Sequence, residues 1–345
     1  MRSMIDFEMP LLVALQHSKS GLFSKFHFTC FEWITHGKLF RSNTFNLQNL
    51  CAAGTEEGPI LLISKLSQSI VPVCLLCVHK TTVTDIAMSN QMNTFLSVSS
   101  DGLIAGWHCQ DGSCCFSYEN LLKPGDIKIV LSDTDTSVAW FWSKGFYASL
   151  IDLKSGVVLQ NISFIGLSSF SLLKKYSNFQ YRQNESNNSP NNSFSKQPLT
   201  AIMIGINSIR HYQVNETTNE FIFEKEENKE FDFNEKCIVT PYGIIRYRKN
   251  FFAIYLQNMP EPVYSDIIDE VDDDDMISFI DWKIQDSLLV CTFKGLFKIY
   301  KIKIVNYEKN NQQFLVENVT SFSCNDTCIL TNPAFNRDIG YVIFA

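Results

Sequence analysis

The chain has 345 residues, 45% of them hydrophobic and 19% charged, enough to bury one large core or two smaller ones. A net charge of −7 argues against a surface built to grip a nucleic-acid backbone, which needs clustered Lys and Arg. The densest basic group, Arg246, Arg248 and Lys249, reads as a solvated strand edge. No apolar run reaches the roughly 18 residues of a membrane span. Pro10–Leu15 is too short for a signal-peptide core, so the expectation is a cytosolic chain with no direct membrane insertion.

Frequent Phe, scarce Pro and short apolar runs between polar turns favour strands throughout. A first strand–turn–strand unit is expected from Lys25 to Ser64, with Glu57-Gly58 in its turn and Ile63 at the Trp position. The second, Val71 to Tyr118, is the clearest. Its segment HKTTVTDIAMSNQMNTFLSVSSDGLIAGW runs from His79 through two strands to an Asp101-Gly102 turn and a third strand ending on Trp107. That order is the repeat of a WD-type β-propeller, in which units of roughly 40 to 45 residues each form a four-stranded blade. In such blades a His reaches the terminal indole through a strand hydroxyl. Here Asp85 takes the hydroxyl's place and no Asp occupies the polar turn Ser89–Gln91, so a partial brace is expected.

A third unit spans Ile127 to Ile162, with Ile151-Asp152 at the Trp-Asp position and a Lys154-Ser155-Gly156 hairpin. A fourth begins near Phe164 and ends with Tyr212 at the Trp position. Within it, residues 181–197 are rich in Asn and Ser and read as a disordered insertion. The fifth, around KCIVTPYGIIRYRKNFFAIYL, is degenerate. The sixth runs from Met276 to Ile304, with Tyr300 replacing Trp, and a seventh starts around Phe314. The expected fold is therefore an all-β, WD40-type β-propeller of about seven four-stranded blades forming one domain over 1–345. The last blade lacks strands: either the chain is a fragment or its N-terminal strand, Pro10–Leu15, completes the ring, and the second reading is favoured. Recurrent glycines at Gly58, Gly102, Gly156 and Gly295 favour this fold over a β-sandwich.

Reactive chemistry leaves little trace. The six His are dispersed, and no glycine-rich phosphate loop occurs. The expectation is no enzyme, no cofactor and no metal. Cys74/Cys77, Cys324/Cys328 and His108-Cys109 with Cys114-Cys115 have ligand-like spacings, but each lacks a convincing second pair or lies in a strand or connecting turn. The acidic loop 266–275 contains the densest charge; Asp272, Asp273, Asp274 and Asp275 are the candidate contacts for a basic partner, against a reading as a hydrated loop.

Taken in order, MPLLVALQH, GTEEGPILLI, HKTTVT…SVSSDGLIAGWHCQDGSCCF, FYASLIDLKSGVVLQNIS, DWKIQDSLLVCTFKGLFKIYKI and CNDTCILTNPAFNRDIGYVIFA resemble the N-terminal propeller of the rabconnectin-3 beta subunit family of WD-repeat proteins. Trp107 is followed by His108 where the repeat usually has Asp, and most other units lack the Trp. Members of that family continue into a second propeller and a helical array. The resemblance implies a cytosolic, non-enzymatic scaffold in assembly or regulation of the vacuolar-type proton ATPase. It would sit peripherally on vacuolar or endosomal membranes, with an alpha-type rabconnectin WD-repeat subunit as partner. The alternative is an adaptor or coat-type propeller in vesicle trafficking.

Overall fold

The computed structural model describes residues 11–14, 25–34, 41–42, 45–46, 50–66, 69–89, 94–109, 112–131, 137–173, 200–215, 217–228, 235–256, 261–269, 275–284, 287–307, 311–323, 334–336 and 341–344. After β1 (Leu11–Ala14) and β2 (Phe28–Ile34), the short strands β3 (Arg41–Ser42) and β4 (Phe45–Asn46) pair as a hairpin. β5 (Leu50–Thr55), β6 (Ile60–Leu66) and β7 (Ser69–Leu76) then complete a sheet with β2. The second sheet is β8 (Val83–Ser89), β9 (Thr94–Ser99), β10 (Ile104–His108) and β11 (Cys114–Tyr118). The third is β12 (Ile127–Leu131), β13 (Val138–Ser143), β14 (Tyr147–Asp152) and β15 (Val157–Ser163).

The fourth sheet comprises β16 (Ser169–Leu173), β17 (Thr200–Ile204), β18 (Ser208–Val214) and β19 (Phe221–Asn228). The fifth comprises β20 (Lys236–Thr240), β21 (Gly243–Arg248), β22 (Phe251–Tyr255) and β23 (Tyr264–Ile267). The sixth comprises β24 (Ile277–Ile284), β25 (Ser287–Thr292), β26 (Leu296–Tyr307) and β27 (Asn311–Ser323). β28 (Ala334–Asn336) and β29 (Tyr341–Phe344) join β1 in a three-stranded sheet, in which β1 runs parallel to β29.

Each four-stranded sheet follows chain order from one edge to the other, the up-and-down meander of a propeller blade. Among the described residues there are six such blades, not the seven expected. The miscount has a local cause. The apolar run around Phe314, expected to open a seventh unit, is β27, the last strand of the sixth sheet. The same slip set the second unit to begin at Val71, which lies in β7, the last strand of the first sheet. Polar alternation alone does not tell a blade's outer strand from the next blade's inner one. The N-terminal strand does pair with the C-terminal one, in a sheet of three strands. The insertion at 181–197 lies outside the described residues.

The chain divides into two compact units, Met1–Gly166 with Cys291–Phe297 and Phe322–Ala345, and Leu167–Val290 with Lys298–Ser321. Within the first, β2 lies beside β8 and β8 beside β12; within the second, β16 lies beside β20 and β20 beside β24. First strands thus pack on first strands, while last strands such as β15 and β19 face solvent along most of their length. Leu96, Val98 and Ile104 of the second blade interlock with Ile127, Phe141 and Ile151 of the third, each side chain contributing about 1.5–3 kcal/mol on burial.

Hydroxyls latch neighbouring first strands. Thr29 Oγ1 donates to Val83 O at 2.5 Å, and one blade on Thr84 Oγ1 donates to Ile127 O at 2.7 Å. In the second unit Val239 N donates to Ser169 Oγ at 2.9 Å. Asp85, expected in the blade brace, belongs to this latch set: its Oδ2 accepts the Ile129 amide at 2.8 Å, beside Lys128, whose ammonium donates to Thr84 O at 2.6 Å.

Candidate functional site

The second blade carries a directed relay of polar groups through a buried sheet. Trp107 Nε1–H donates to Ser97 Oγ at 2.8 Å, and Ser97 Oγ lies 2.6 Å from His79 Nε2. His79 Nδ1 lies 2.8 Å from Ser99 Oγ, and the Ser99 hydroxyl donates to Asp101 Oδ1 at 2.7 Å. The donors fix the tautomer. Ser99 spends its proton on Asp101, so His79 Nδ1 carries a hydrogen and donates to Ser99; Nε2 is then bare and accepts from Ser97. Every member gives one hydrogen bond and the network closes on a carboxylate, which also accepts the Leu103 amide at 3.2 Å.

The local sequence explains why this works. Ser97 and Ser99 are two apart on β9, so they share a face. Trp107 stands opposite Phe95 on β10, and the two rings stack at 6.1 Å. Gly102 turns the chain at φ 89°, a conformation other residues resist. Thus His79, Asp101, Gly102 and Trp107 come together, Asp85 does not, and the hydroxyls are Ser97 and Ser99. The signal for them was in the sequence: Ser-x-Ser-x-Asp-Gly ahead of the Trp strand. The acid sits in the turn after β9, not in the turn at Ser89–Gln91.

Burial pushes the His79 imidazole down to about 4, opposed by the Asp101 charge. Burial alone would raise the Asp101 carboxyl, but the Ser99 hydroxyl and the Leu103 amide hold it below its ordinary value. Between pH 6.5 and about 4 the unfolded chain takes a proton at this imidazole that the folded chain refuses. The stability that this group carries is therefore complete above pH 6.5 and is lost as pH falls through the folded value, up to about 3 kcal/mol. Urea unfolding at about pH 7 and about pH 4 should show the wild type losing roughly 2–3 kcal/mol more than His79→Gln, which has no proton to take up. Equal losses would mean that His79 is not held neutral.

Other blades keep the turn hydroxyl without the His and Trp. Thr55 Oγ1 donates to Pro59 O at 2.7 Å, Thr240 Oγ1 to Gly243 O at 2.9 Å, and Leu296 N donates to Thr292 Oγ1 at 3.2 Å. Gly58, Gly102, Gly145 and Gly295 have positive φ in these turns. Gly156 also has positive φ, at 67°, but it belongs to the following hairpin between β14 and β15; the third blade's equivalent of Gly102 is Gly145. A second regularity marks the Trp position. Third and fourth strands slip register between Leu62 and Ile63, Gly106 and Trp107, Leu150 and Ile151, and His211 and Tyr212. One bulge recurs at the same place in four blades, immediately before residues read from the sequence as Trp equivalents.

The described imidazoles are held in other ways. His27 is exposed and bonded through Nδ1 to Glu57 at 2.8 Å, which raises its pKa. His211 is buried with Nε2 3.4 Å from a Glu227 oxygen, and His108 is exposed at the end of β10. No group of three or more His, Cys, Asp or Glu side chains suited to a metal occurs among the described residues. Cys324 and Cys328 fall outside them. So do Asp272, Asp273 and Asp274; Asp275 is described, is buried, and accepts the Met276 amide at 2.9 Å, so it is not presented to a partner as expected. Among described helices none is long and apolar enough to cross a membrane.

Comparison with solved structures places this architecture. The C-terminal WD40 domain of Sif2 is similar at 11% identity and a TM-score of 0.55, covering 92% of this chain and 79% of that one. The WD40 repeats of RRP9 are 8% identical with a TM-score of 0.58, covering 92% and 86%. U3-55K is 8% identical with a TM-score of 0.59, covering 92% and 88%. No family model and no curated protein matches the chain. The fold is a WD40-type β-propeller with four-stranded blades.

Proposed function

We propose that the chain is a non-enzymatic scaffold that binds other proteins and acts in assembly or regulation of the vacuolar-type proton ATPase on endomembranes, together with an alpha-type rabconnectin WD-repeat subunit. The observation that carries the scaffold reading is the WD40-type fold whose buried imidazole, His79, is committed to bracing a sheet. Rigid blades with variable loops suit recognition of macromolecules. The pump-related part rests on the ordered sequence motifs that resemble the rabconnectin-3 beta family. The acidic run, with Asp275 set aside, offers Asp272, Asp273 and Asp274 to a basic partner surface.

Affinity purification of the full chain from its native cells tests the reading. Recovery of proton-pump subunits and an alpha-type WD-repeat partner is expected. Recovery of coat or tethering subunits without them would replace it with the trafficking adaptor.

A further inference from the structure

Outermost strands differ in how they guard an open edge. β19 carries Glu224, Lys225, Glu226 and Glu227, tied by Lys225 Nζ to Glu227 at 2.7 Å and Ser208 Oγ to Glu226 at 2.7 Å. β7 contains Pro72, β23 contains Asp266, β27 contains Glu317, and β11 is only five residues long. Charge, proline and brevity are the ordinary devices that keep an edge from pairing with another chain. β15 has none of these three; its one guard is the bulge at Leu159, a device that β7, β11 and β19 share with it. Its seven residues, VVLQNIS, include no charge and no proline, and among the described strands β14 is its one neighbour in the sheet. Val157, Val158 and Leu159 are exposed.

The strand leads into an apolar pad. Phe164 N donates to Phe146 O and Gly166 N to Gly145 O, both at 2.9 Å, which sets Ile165 beside Phe146. Ile165 is the most exposed large apolar side chain described, at 90%, and Phe146 is exposed at 65%. Lys144 is exposed next to the pad, and Lys154 is exposed in the turn at the strand's other end.

We propose that β15 accepts an added strand: an extended, uncharged, β-branched segment of a protein partner, with a carboxylate near each end and a terminal apolar side chain resting on Phe146 and Ile165. The open edge calls for extended main chain, and the exposed valines and leucine call for an uncharged centre. A lysine at each end calls for acidic flanks. The same charges disfavour a second copy as occupant. Antiparallel self-pairing of β15 would bring Lys154 of one molecule toward Lys144 of the other, like charge against like. The proposal rests on the scaffold reading and names one surface through which it works.

The probe is a blocked synthetic peptide of alternating valine and threonine with a glutamate at each end, added to the full chain. Bound peptide should slow amide hydrogen exchange within Val157–Ser163 by about tenfold or more. Leu159→Lys, and the pair Lys144→Glu with Lys154→Glu, should each weaken binding by about tenfold. Phe223→Lys, on the exposed face of the charged edge β19, should leave it unchanged. Absence of protection in β15, or equal affinity for Leu159→Lys, would overturn the proposal. Concentration-dependent dimers of the peptide-free chain that Leu159→Lys abolishes would overturn the choice of occupant. Purification separates the two levels: if Leu159→Lys recovers the same partners as wild type, the edge is wrong and the scaffold stands. If wild type recovers none while the peptide still protects β15, the scaffold reading fails.

Discussion

Replacing Trp107 by Ala should lower the unfolding free energy by about 3–5 kcal/mol. The side chain is fully enclosed, stacked on Phe95 and packed within the cluster that joins the first blade to the second, including Leu50, Leu62 and Ile86. Truncation empties that volume, which the surrounding strands cannot refill without breaking their ladders. It also removes the donor to Ser97. Trp107→Phe helps separate the two contributions, because it keeps an aromatic ring against Phe95 while losing the indole N–H and part of the ring volume. Ser97 would still donate to His79, so this variant should cost about 1–2 kcal/mol. Urea midpoints with unchanged slopes measure both. A Trp107→Ala cost below about 1 kcal/mol would contradict a packed brace.

Gly102 should tolerate no side chain. Its φ is 89°, and a Cβ built there meets Leu122 O at 2.5 Å, a backbone atom that cannot swing aside. Gly145 provides the control. Its φ is 90° in the equivalent turn of the third blade, yet an added Cβ there meets nothing within 4 Å. Gly145→Ala should therefore cost only the conformational strain, about 1–2 kcal/mol. Gly102→Ala should cost about 2 kcal/mol more, as the Leu122 carbonyl and the connection to the third blade are displaced. Equal costs at the two sites would show that the second-blade turn is not pressed against that connection.

What was readable in the sequence follows from which forces act locally. The second blade declared itself because its brace is built from residue types with fixed offsets: His79, the Asp101-Gly102 turn and Trp107. Ile63, Ile151 and Tyr212 were also placed at Trp positions from sequence, and the register slip before each shows a shared backbone device beneath unlike side chains. In the sequence Asp85 looks like a substitute for the brace hydroxyl, because a carboxylate stands at the position where the hydroxyl is expected. Its partner, the Ile129 amide, is 44 residues away and becomes visible only when β8 and β12 pack. Blade count failed for a similar reason. β7 and β27 carry apolar runs like those of inner strands, and only pairing partners assign them to the preceding sheet. The uncharged edge of β15 was printed in the sequence, but its meaning depends on knowing which strand is outermost.

The exchange rate of the Trp107 indole hydrogen, assigned by the signal lost in Trp107→Phe, is the most direct test of how this fold is held. That hydrogen points into the sheet toward Ser97, which is bound to His79. It should exchange only when the blade opens, at a rate that tracks global unfolding and rises in Ser97→Ala. Exchange as fast as that of a solvent-facing indole would contradict the brace and the architecture argued from it.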